Sequence, residues 1–409
     1  MLLEYTCSNY KSIKEKIVFS TIAGKDIQYA DRLIPYEKYK VIRSSVIYGA
    51  NGSGKTNVLS SLGFVQNLVI NSINHQPGQR IFQTPHKLAL SGTPSEFSMQ
   101  FVRNGIRYAY GFSLLNNVVK EENLYYFPLG KQVKIFDREG LLIKPGNRYK
   151  KSFDLSETVL KENRLFLSCA ANYSNLKEVE EAFLFFSQDI VFYNRENNNW
   201  IEYSIQLMQN NEKIKQLFLK MLQDFMTGIK DVRVKLEKID IQGNIPPELE
   251  QLLSGKMNRV EAKVIYDDFE TDLMTEESEG IKKLFEMLCP IIDILMKGKI
   301  LICDEIEKSL HENLVAKILE LFQKASSDKT AQIIFSTHDT SLLNSELFRR
   351  DQIWFTQLTE KERATDLYSL VEIKNVRKSE NLEKGYISGK YGAIPMMNPN
   401  FVEDFSKEF

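Results

Sequence analysis

The order of apolar and polar positions divides the chain into short elements. Residues 1–7 read as a strand, Asn9-Tyr10-Lys11-Ser12-Ile13 as a turn, and residues 16–20 as the hairpin partner. Residues 24–40 are polar and loop-like. Residues 41–48 read as a buried strand, with Val46 and Ile47 apolar, that runs into Gly49; a helix is predicted over 56–69. Proline and glycine punctuate residues 71–95 as loop. Residues 97–103, 107–114 and 124–127 predict an antiparallel meander turning at Asn104-Gly105 and Asn116-Asn117. Residues 128–260 mix short strands with helices near 172–187 and 200–226, without the sustained heptads that a coiled-coil arm requires.

From residue 260 the alternation becomes regular. Strands at 260–266, 300–303, 332–336 and 352–356 are separated by helices at 278–288 and 312–323 and a short one near 340–347. Such an order predicts a parallel sheet with helices packed on it. The expected fold class is therefore α/β: a mixed sheet, an antiparallel meander subdomain and an inserted α/β middle region. The expected divisions are a first lobe at 1–127, the insertion at 128–260 and a second lobe at 261–409.

Composition narrows the class. The 409 residues suffice for one large or two medium domains. Lys and Arg total 53 against 54 Asp and Glu, so no global basic field draws the chain to nucleic acid. Nucleic-acid binding would rest on local patches, of which Lys144-Pro145-Gly146-Asn147-Arg148-Tyr149-Lys150-Lys151 and Lys374-Asn375-Val376-Arg377-Lys378 are the candidates. Cys7, Cys169, Cys289 and Cys303 form no C-x-x-C pair, which disfavours zinc ribbons and fits a reducing cytosol. The first residues lack a basic segment followed by an apolar run. The longest apolar stretch, near 288–296, is interrupted by Pro290 and Asp293. A cytoplasmic protein without a membrane partner is the expectation.

Gly49-Ala50-Asn51-Gly52-Ser53-Gly54-Lys55-Thr56 fits G-x-x-x-x-G-K-[ST] in full, after a strand and before a helix. Glycines let the backbone curl so that its N–H groups point at phosphate oxygens, and the helix adds its positive N-terminal end. Asn51, Gly52, Ser53, Gly54, Lys55, Thr56 and Asn57 are the candidate nucleotide-binding residues. Lys55 would reach the β- and γ-phosphates of ATP and the Thr56 hydroxyl would bind Mg²⁺. Downstream, Lys299-Ile300-Leu301-Ile302-Cys303-Asp304-Glu305 is an apolar strand ending in two carboxylates. Asp304 is the second candidate for Mg²⁺, and Glu305 for the base that activates water. About 250 residues separate Lys55 from Asp304, which leaves room for an inserted region.

With these residues the chain resembles the ABC-like ATPases, particularly their RecF/SMC-like branch. Asn9-Tyr10-Lys11-Ser12-Ile13 is similar to that branch's early N-[FY]-[KR]-S segment. Asp304-Glu305 followed by Ser309-Leu310-His311 resembles the Walker B pair and D-loop, and Ile334-Phe335-Ser336-Thr337-His338 resembles the switch strand with its histidine. Glu277-Ser278-Glu279-Gly280-Ile281 resembles a loosened signature that keeps Ser278 and Gly280. The resemblance implies that Ser278 and Gly280 reach the γ-phosphate bound by a partner copy. It also implies that His338 contacts that phosphate and that Gln83, as the Q-loop residue, serves both nucleotide and Mg²⁺. It further implies a head-to-tail homodimer sharing two ATP sites.

Arg349-Arg350-Asp351-Gln352-Ile353-Trp354-Phe355 and Gly389-Lys390-Tyr391-Gly392-Ala393-Ile394-Pro395 resemble the tail of a bacterial AAA-family group found in anti-phage systems, including the ATPase of PARIS and those accompanying RloB-type proteins. Such ATPases work with a separate effector, often a TOPRIM-type nuclease. The chain shows no Asp-x-Asp metal motif, since Asp267-Asp268 is adjacent, and only about 70 residues follow His338. A separate effector is thus expected. The alternatives are a RecF/SMC-like DNA-repair ATPase and a nucleotide-gated assembly protein with negligible turnover.

Overall fold

The computed structural model describes residues 1–193, 199–238, 258–308, 310–326, 328–377, 380–394, 402 and 406. These form two compact units: Met1–Tyr193 with Gly298–Ile306 and Ile318–Phe409, and Asn194–Lys297 with Glu307–Lys317.

The first unit opens with β1 (Leu2–Ser8) and β2 (Ile17–Ser20), a small hairpin of β3 (Ile34–Tyr36) and β4 (Tyr39–Val41), the buried strand β5 (Ser44–Gly49) and helix α1 (Lys55–Asn71). β6 (Ser95–Arg103), β7 (Ile106–Leu115), β8 (Val118–Phe127), β9 (Val133–Glu139) and β10 (Leu142–Pro145) then run as a meander, and β11 (Ile190–Tyr193) follows three short helices. The meander turns where expected. Asn104 and Gly105, and Asn116 and Asn117, all hold positive φ, as a tight type I′ hairpin demands. Its strands join β1 and β2 in one antiparallel sheet ordered β10-β9-β8-β7-β6-β1-β2. The boundary expected at 127/128 therefore falls between neighbouring strands of a single sheet, because β9 pairs with β8 along its length. Likewise, the strand expected over 41–48 is two. The chain breaks at Ile42 and Arg43, whose buried guanidinium donates to the Lys329 carbonyl at 2.7 Å.

The second unit carries a three-stranded antiparallel sheet of β12 (Asp231–Lys238), β13 (Asn258–Ile265) and β14 (Glu270–Asp272). It also holds helices Asn199–Asn210, Glu212–Asp224 and Glu279–Lys297. The last continues through Pro290 to Lys297, past the end expected at 288. A mid-helix proline costs about 3 kcal/mol. Burial of Leu284, Phe285, Met287, Leu288, Ile291, Ile292 and Ile294 around it offsets that cost. Asp293 is tied to Lys297 at 2.7 Å and accepts from Tyr203 at 3.2 Å. No helix among the described residues is long and apolar enough to cross a membrane.

The chain returns to the first unit with β15 (Ile300–Cys303), β16 (Gln332–Ser336), β17 (Ile353–Leu358) and β18 (Thr365–Ser369). With β5 and β11 they build a six-stranded sheet ordered β11-β15-β16-β5-β17-β18, parallel except for β18. Pattern alone passed over the edge strands: β11 has only four residues, and β18 has five of which most are polar. The helix expected near 340–347 is a single turn, Thr340–Leu342, capped by Asp339. One apolar cluster joins the inward faces of both sheets of this unit to α1, with Phe101 stacked on Phe185 at 3.9 Å.

Candidate nucleotide-binding site

The strand order brings the expected residues of the first unit together. β5 lies between β16 and β17, so the loop after β5 emerges beside the ends of its parallel neighbours. Gly52 and Gly54 sit at φ +76° and +109°, a region closed to most side chains. A Cβ at Gly54 would overlap the side chain of Thr365, so only glycine lets the loop lie on β18. Thr365 Oγ1 donates to the Ser53 carbonyl at 3.0 Å, and Ser53 Oγ shares a 2.6 Å bond with Thr356 Oγ1. The loop is thus braced by two threonines that no local signal in the sequence marks.

Lys55 is buried, and its Nζ donates to the carbonyls of Gly49 at 2.7 Å and Ala50 at 3.2 Å. Asn51 and Gly52 are exposed at the tip. Asn57 turns away to donate to Ser12 Oγ at 2.6 Å, and Ser12 Oγ in turn pairs with Thr365 Oγ1 at 2.7 Å. The Asn-Tyr-Lys-Ser segment therefore acts on the loop from behind. Asn9 and Lys11 both hold positive φ. Asn9 grips the carbonyl of Thr93 at 2.8 Å and the amide of His86 at 2.9 Å, and the Lys11 amide donates to Thr84 at 2.7 Å. Gln83 lies in that gripped stretch, half-buried, with its amide donated to Ser95 Oγ.

On the opposite side, Thr56 Oγ1 donates to Asp304 Oδ2 at 2.8 Å. Ser336 Oγ donates to Asp304 Oδ1 and accepts the Glu305 amide at 2.8 Å. Glu305 has φ +52°, so the chain bends sharply after Asp304 and sends the two carboxylates different ways. Glu305 Oε1 lies 3.5 Å from His338 Nε2. His338 follows buried Thr337 and precedes Asp339, whose carbonyl accepts from Tyr48 at 3.1 Å. Tyr386 packs 5.6 Å from both Tyr48 and Phe355, and burial pushes its phenol above the ordinary range, so it stays neutral. Ser336, two residues before His338, is the one site residue that sequence reasoning missed although its motif was in view.

A hydroxyl beside a carboxylate is a hard oxygen pair of the kind Mg²⁺ uses when phosphates supply its remaining ligands, so Thr56 and Asp304 fit that ion. Among the described residues, no three His, Cys, Asp or Glu gather as a metal cage.

A strand-borne phosphate loop, a helix on its far end and two acidic side chains just after β15, the parallel strand one removed from β5 across β16, make an ABC-like P-loop ATPase fold. Residues 44–344 match the family described as "AAA domain, putative AbiEii toxin, Type IV TA system". The chain belongs to that family. As an AAA domain it carries a P-loop NTPase core. No curated protein matches it. Solved structures similar to the chain include three SMC heads. One is an SMC head bound to the C-winged helix domain of ScpA, at 15% identity, covering 90% of this chain and 97% of that one, with TM-score 0.46. Another is an SMC head domain from Thermotoga maritima, at 12% identity, 90% and 98% coverage and TM-score 0.42. The third is an SMC head with an extended coiled coil bound to the C-terminal domain of ScpA derived from Pyrococcus furiosus, at 12% identity, 95% and 98% coverage and TM-score 0.40.

Ser278 and Gly280 belong to the second unit, where both are exposed at the start of helix Glu279–Lys297 and Ser278 Oγ accepts the Ile281 amide at 3.3 Å. Of the D-loop triplet, Ser309 lies outside the described residues. So do Lys378 and Pro395 at the ends of the second basic run and the tail segment. That tail is tied down: Tyr391 and Ala393 are buried, Tyr368 donates to the Tyr391 carbonyl at 2.8 Å, and Lys390 pairs with Glu380 at 2.6 Å. In the first basic run, Lys144 pairs with Glu139, Arg148 donates to Tyr126 at 2.8 Å and Tyr149 is buried.

Proposed function

We propose that this chain binds Mg·ATP at the phosphate loop, closes head-to-tail on a second copy, and hydrolyses ATP to release it. The observation that carries the reading is the Thr56–Asp304 hydrogen bond with Glu305 and His338 beside it. Lys55 would exchange its two loop carbonyls for phosphate oxygens, a charge-assisted gain. Thr56 and Asp304 would hold Mg²⁺, which when bound neutralises phosphate charge. Glu305 takes a proton from water as the water oxygen bonds to the γ-phosphorus and the bond to the β–γ bridging oxygen breaks, releasing ADP and phosphate. His338 orients Glu305 and reaches the γ-phosphate. Ser278 and Gly280, at the exposed start of a long helix, would meet that phosphate from a second copy.

ATP then acts as a ligand that favours the closed pair, and hydrolysis reopens it. In this reading the two states hold and release a separate effector, a nuclease, in bacterial anti-phage defence. The resemblance of the tail and the family's description as a toxin component both support that setting. Phosphate release and sedimentation of wild type and Glu305→Gln test the reading. The variant is expected to bind ATP, lose about 10²–10⁴-fold in turnover and accumulate as dimer. Wild-type turnover in Glu305→Gln would remove Glu305 as base.

A further inference from the structure

The stretch gripped by Asn9 and Lys11 exposes Phe82, Leu88 and Leu90, with Phe82 89% and Leu90 82% accessible. Fraying does not account for this. The loop's backbone is bonded to Asn9 at His86 and Thr93 and to Lys11 at Thr84, and its Gln83 is bonded to Ser95. Three apolar side chains within nine residues on an anchored loop form a patch, not scattered exposure. The patch is also one-signed. No Asp or Glu occurs between Glu37 and Glu96, and the exposed Arg80 and Lys87 have no ionic partner among the described residues. The patch adjoins the nucleotide site, because Lys11 bonds Ser60 at 3.0 Å and Ser12 bonds Asn57 on the first turns of α1.

The second unit carries the opposite pattern. Residues 267–279 hold seven carboxylates and no Lys or Arg. Asp267, Glu270 and Glu279 pair with Lys230, Arg233, Lys263 and Lys282. Asp268, Asp272, Glu276 and Glu277 form no ion pair among the described residues, so net negative charge is left over. Phe269 and Met274 are exposed in the same segment. Phe269 stacks on Tyr266 at 4.6 Å, and Tyr266 donates at 2.9 Å to Glu277, the residue before Ser278.

We propose that the apolar, basic loop at residues 80–90 is a docking surface for the apolar, acidic segment 267–279 of a second copy of this chain. The inference rests on the proposed head-to-tail closure, in which Ser278 of one copy approaches the phosphate loop of the other. Each patch is bonded to one of those two half-sites. Apolar side chains at the centre with complementary charge at the rim give such a surface its affinity and its orientation.

The test mixes two single-cysteine variants in the Glu305→Gln background, one copy bearing Phe82→Cys and the other Phe269→Cys, with a short flexible bismaleimide. The chain's own cysteines are all buried, so the background is low. A covalent dimer of the two variants is expected with Mg·ATP and not with ADP. In parallel, Arg80→Glu with Lys87→Glu is expected to weaken ATP-dependent dimerisation by about tenfold or more. Mixing it with Asp268→Lys plus Glu276→Lys is expected to restore the pairing. An ATP-driven dimer that forms with full affinity in every charge variant and gives no cross-link overturns this inference and leaves the closure intact. A Glu305→Gln parent that stays monomeric with ATP overturns both. Intact dimerisation with lost binding of a single-stranded oligonucleotide in Arg80→Glu/Lys87→Glu assigns the loop to nucleic acid and also overturns the inference.

Discussion

Thr56 and Asp304, 248 positions apart in the chain, share a hydrogen bond of 2.8 Å. One sits on the first turn of α1 and the other at the end of β15. Between them the chain forms the whole meander and residues Asn194–Lys297 of the second unit. The bond needs β15, β16 and β5 side by side in parallel, and only the folded sheet supplies that.

The pair gives the first prediction. Asp304→Asn keeps an oxygen for the Thr56 hydroxyl but removes the charge that would face Mg²⁺. Thermal stability is expected to change little, while the Mg²⁺ concentration for half-maximal ATP binding rises about 10–100-fold. Titration of Mg²⁺ against a fluorescent ATP analogue reads this directly. An unchanged Mg²⁺ requirement would remove Asp304 from the ion's site.

Gly54→Ala should fail for a different reason. Its φ of +109° excludes a side chain, and the added Cβ would overlap Thr365, which also holds the Ser53 carbonyl. The loop has to leave β18 to accommodate the methyl group. We expect loss of measurable ATP binding with near-native circular dichroism, since the cost falls on the loop and not on the core. Wild-type affinity by calorimetry would contradict the brace.

These two cases separate what the sequence reveals from what it conceals. Gly49 to Thr56 were legible because the chemistry of a phosphate loop fixes residue type at fixed spacing, and Asp304 and Glu305 because they end an apolar strand, whereas His338 was named only through the resemblance. The meander turns were legible because Asn and Gly tolerate positive φ. Thr356 and Thr365 were not, since an isolated threonine in a strand carries no sign of what lies across the sheet. The division at 127/128 was misplaced because β9 and β10 read as a new run of strands, although they extend the existing sheet. The helix expected to end at 288 runs on to Lys297 for a related reason: a proline's local cost shows in a short window and the burial that outweighs it does not.

Buried thiols give a prediction about pH. Burial pushes Cys7 and Cys169 from an ordinary value of 9.0 up to about 12. Folded chains therefore hold two protons that unfolded chains release above pH 9. Their contribution to stability is complete below pH 9 and is lost as pH rises towards 12. Melting temperature is expected to fall between pH 9 and 11 and to fall less in a Cys7→Ala/Cys169→Ala variant. Ellman's reagent at pH 8 should find no fast thiol in the native protein and four after denaturation. A fast-reacting native thiol would contradict the burial.

Ser336 is the most informative single position, because its hydroxyl holds the Asp304 carboxylate and the Glu305 backbone at once. It donates to Asp304 and accepts the Glu305 amide at 2.8 Å, at a site with no exposure. Ser336→Ala leaves that amide without its partner, a loss of about 1–3 kcal/mol in stability. It also frees Asp304 to rotate and Glu305 to relax from its left-handed backbone. A purely structural serine would lower the melting temperature and leave kcat of the folded fraction alone. A positioning serine lowers kcat with KM for ATP nearly unchanged, because Lys55 and the loop amides still bind phosphate. Ser336→Thr separates the two. Its extra methyl group overpacks a full core and costs about 1–3 kcal/mol, yet it restores the hydroxyl. Recovered kcat in a protein still destabilised is the expected result, and parallel loss of both quantities in Ser336→Thr would reduce Ser336 to packing.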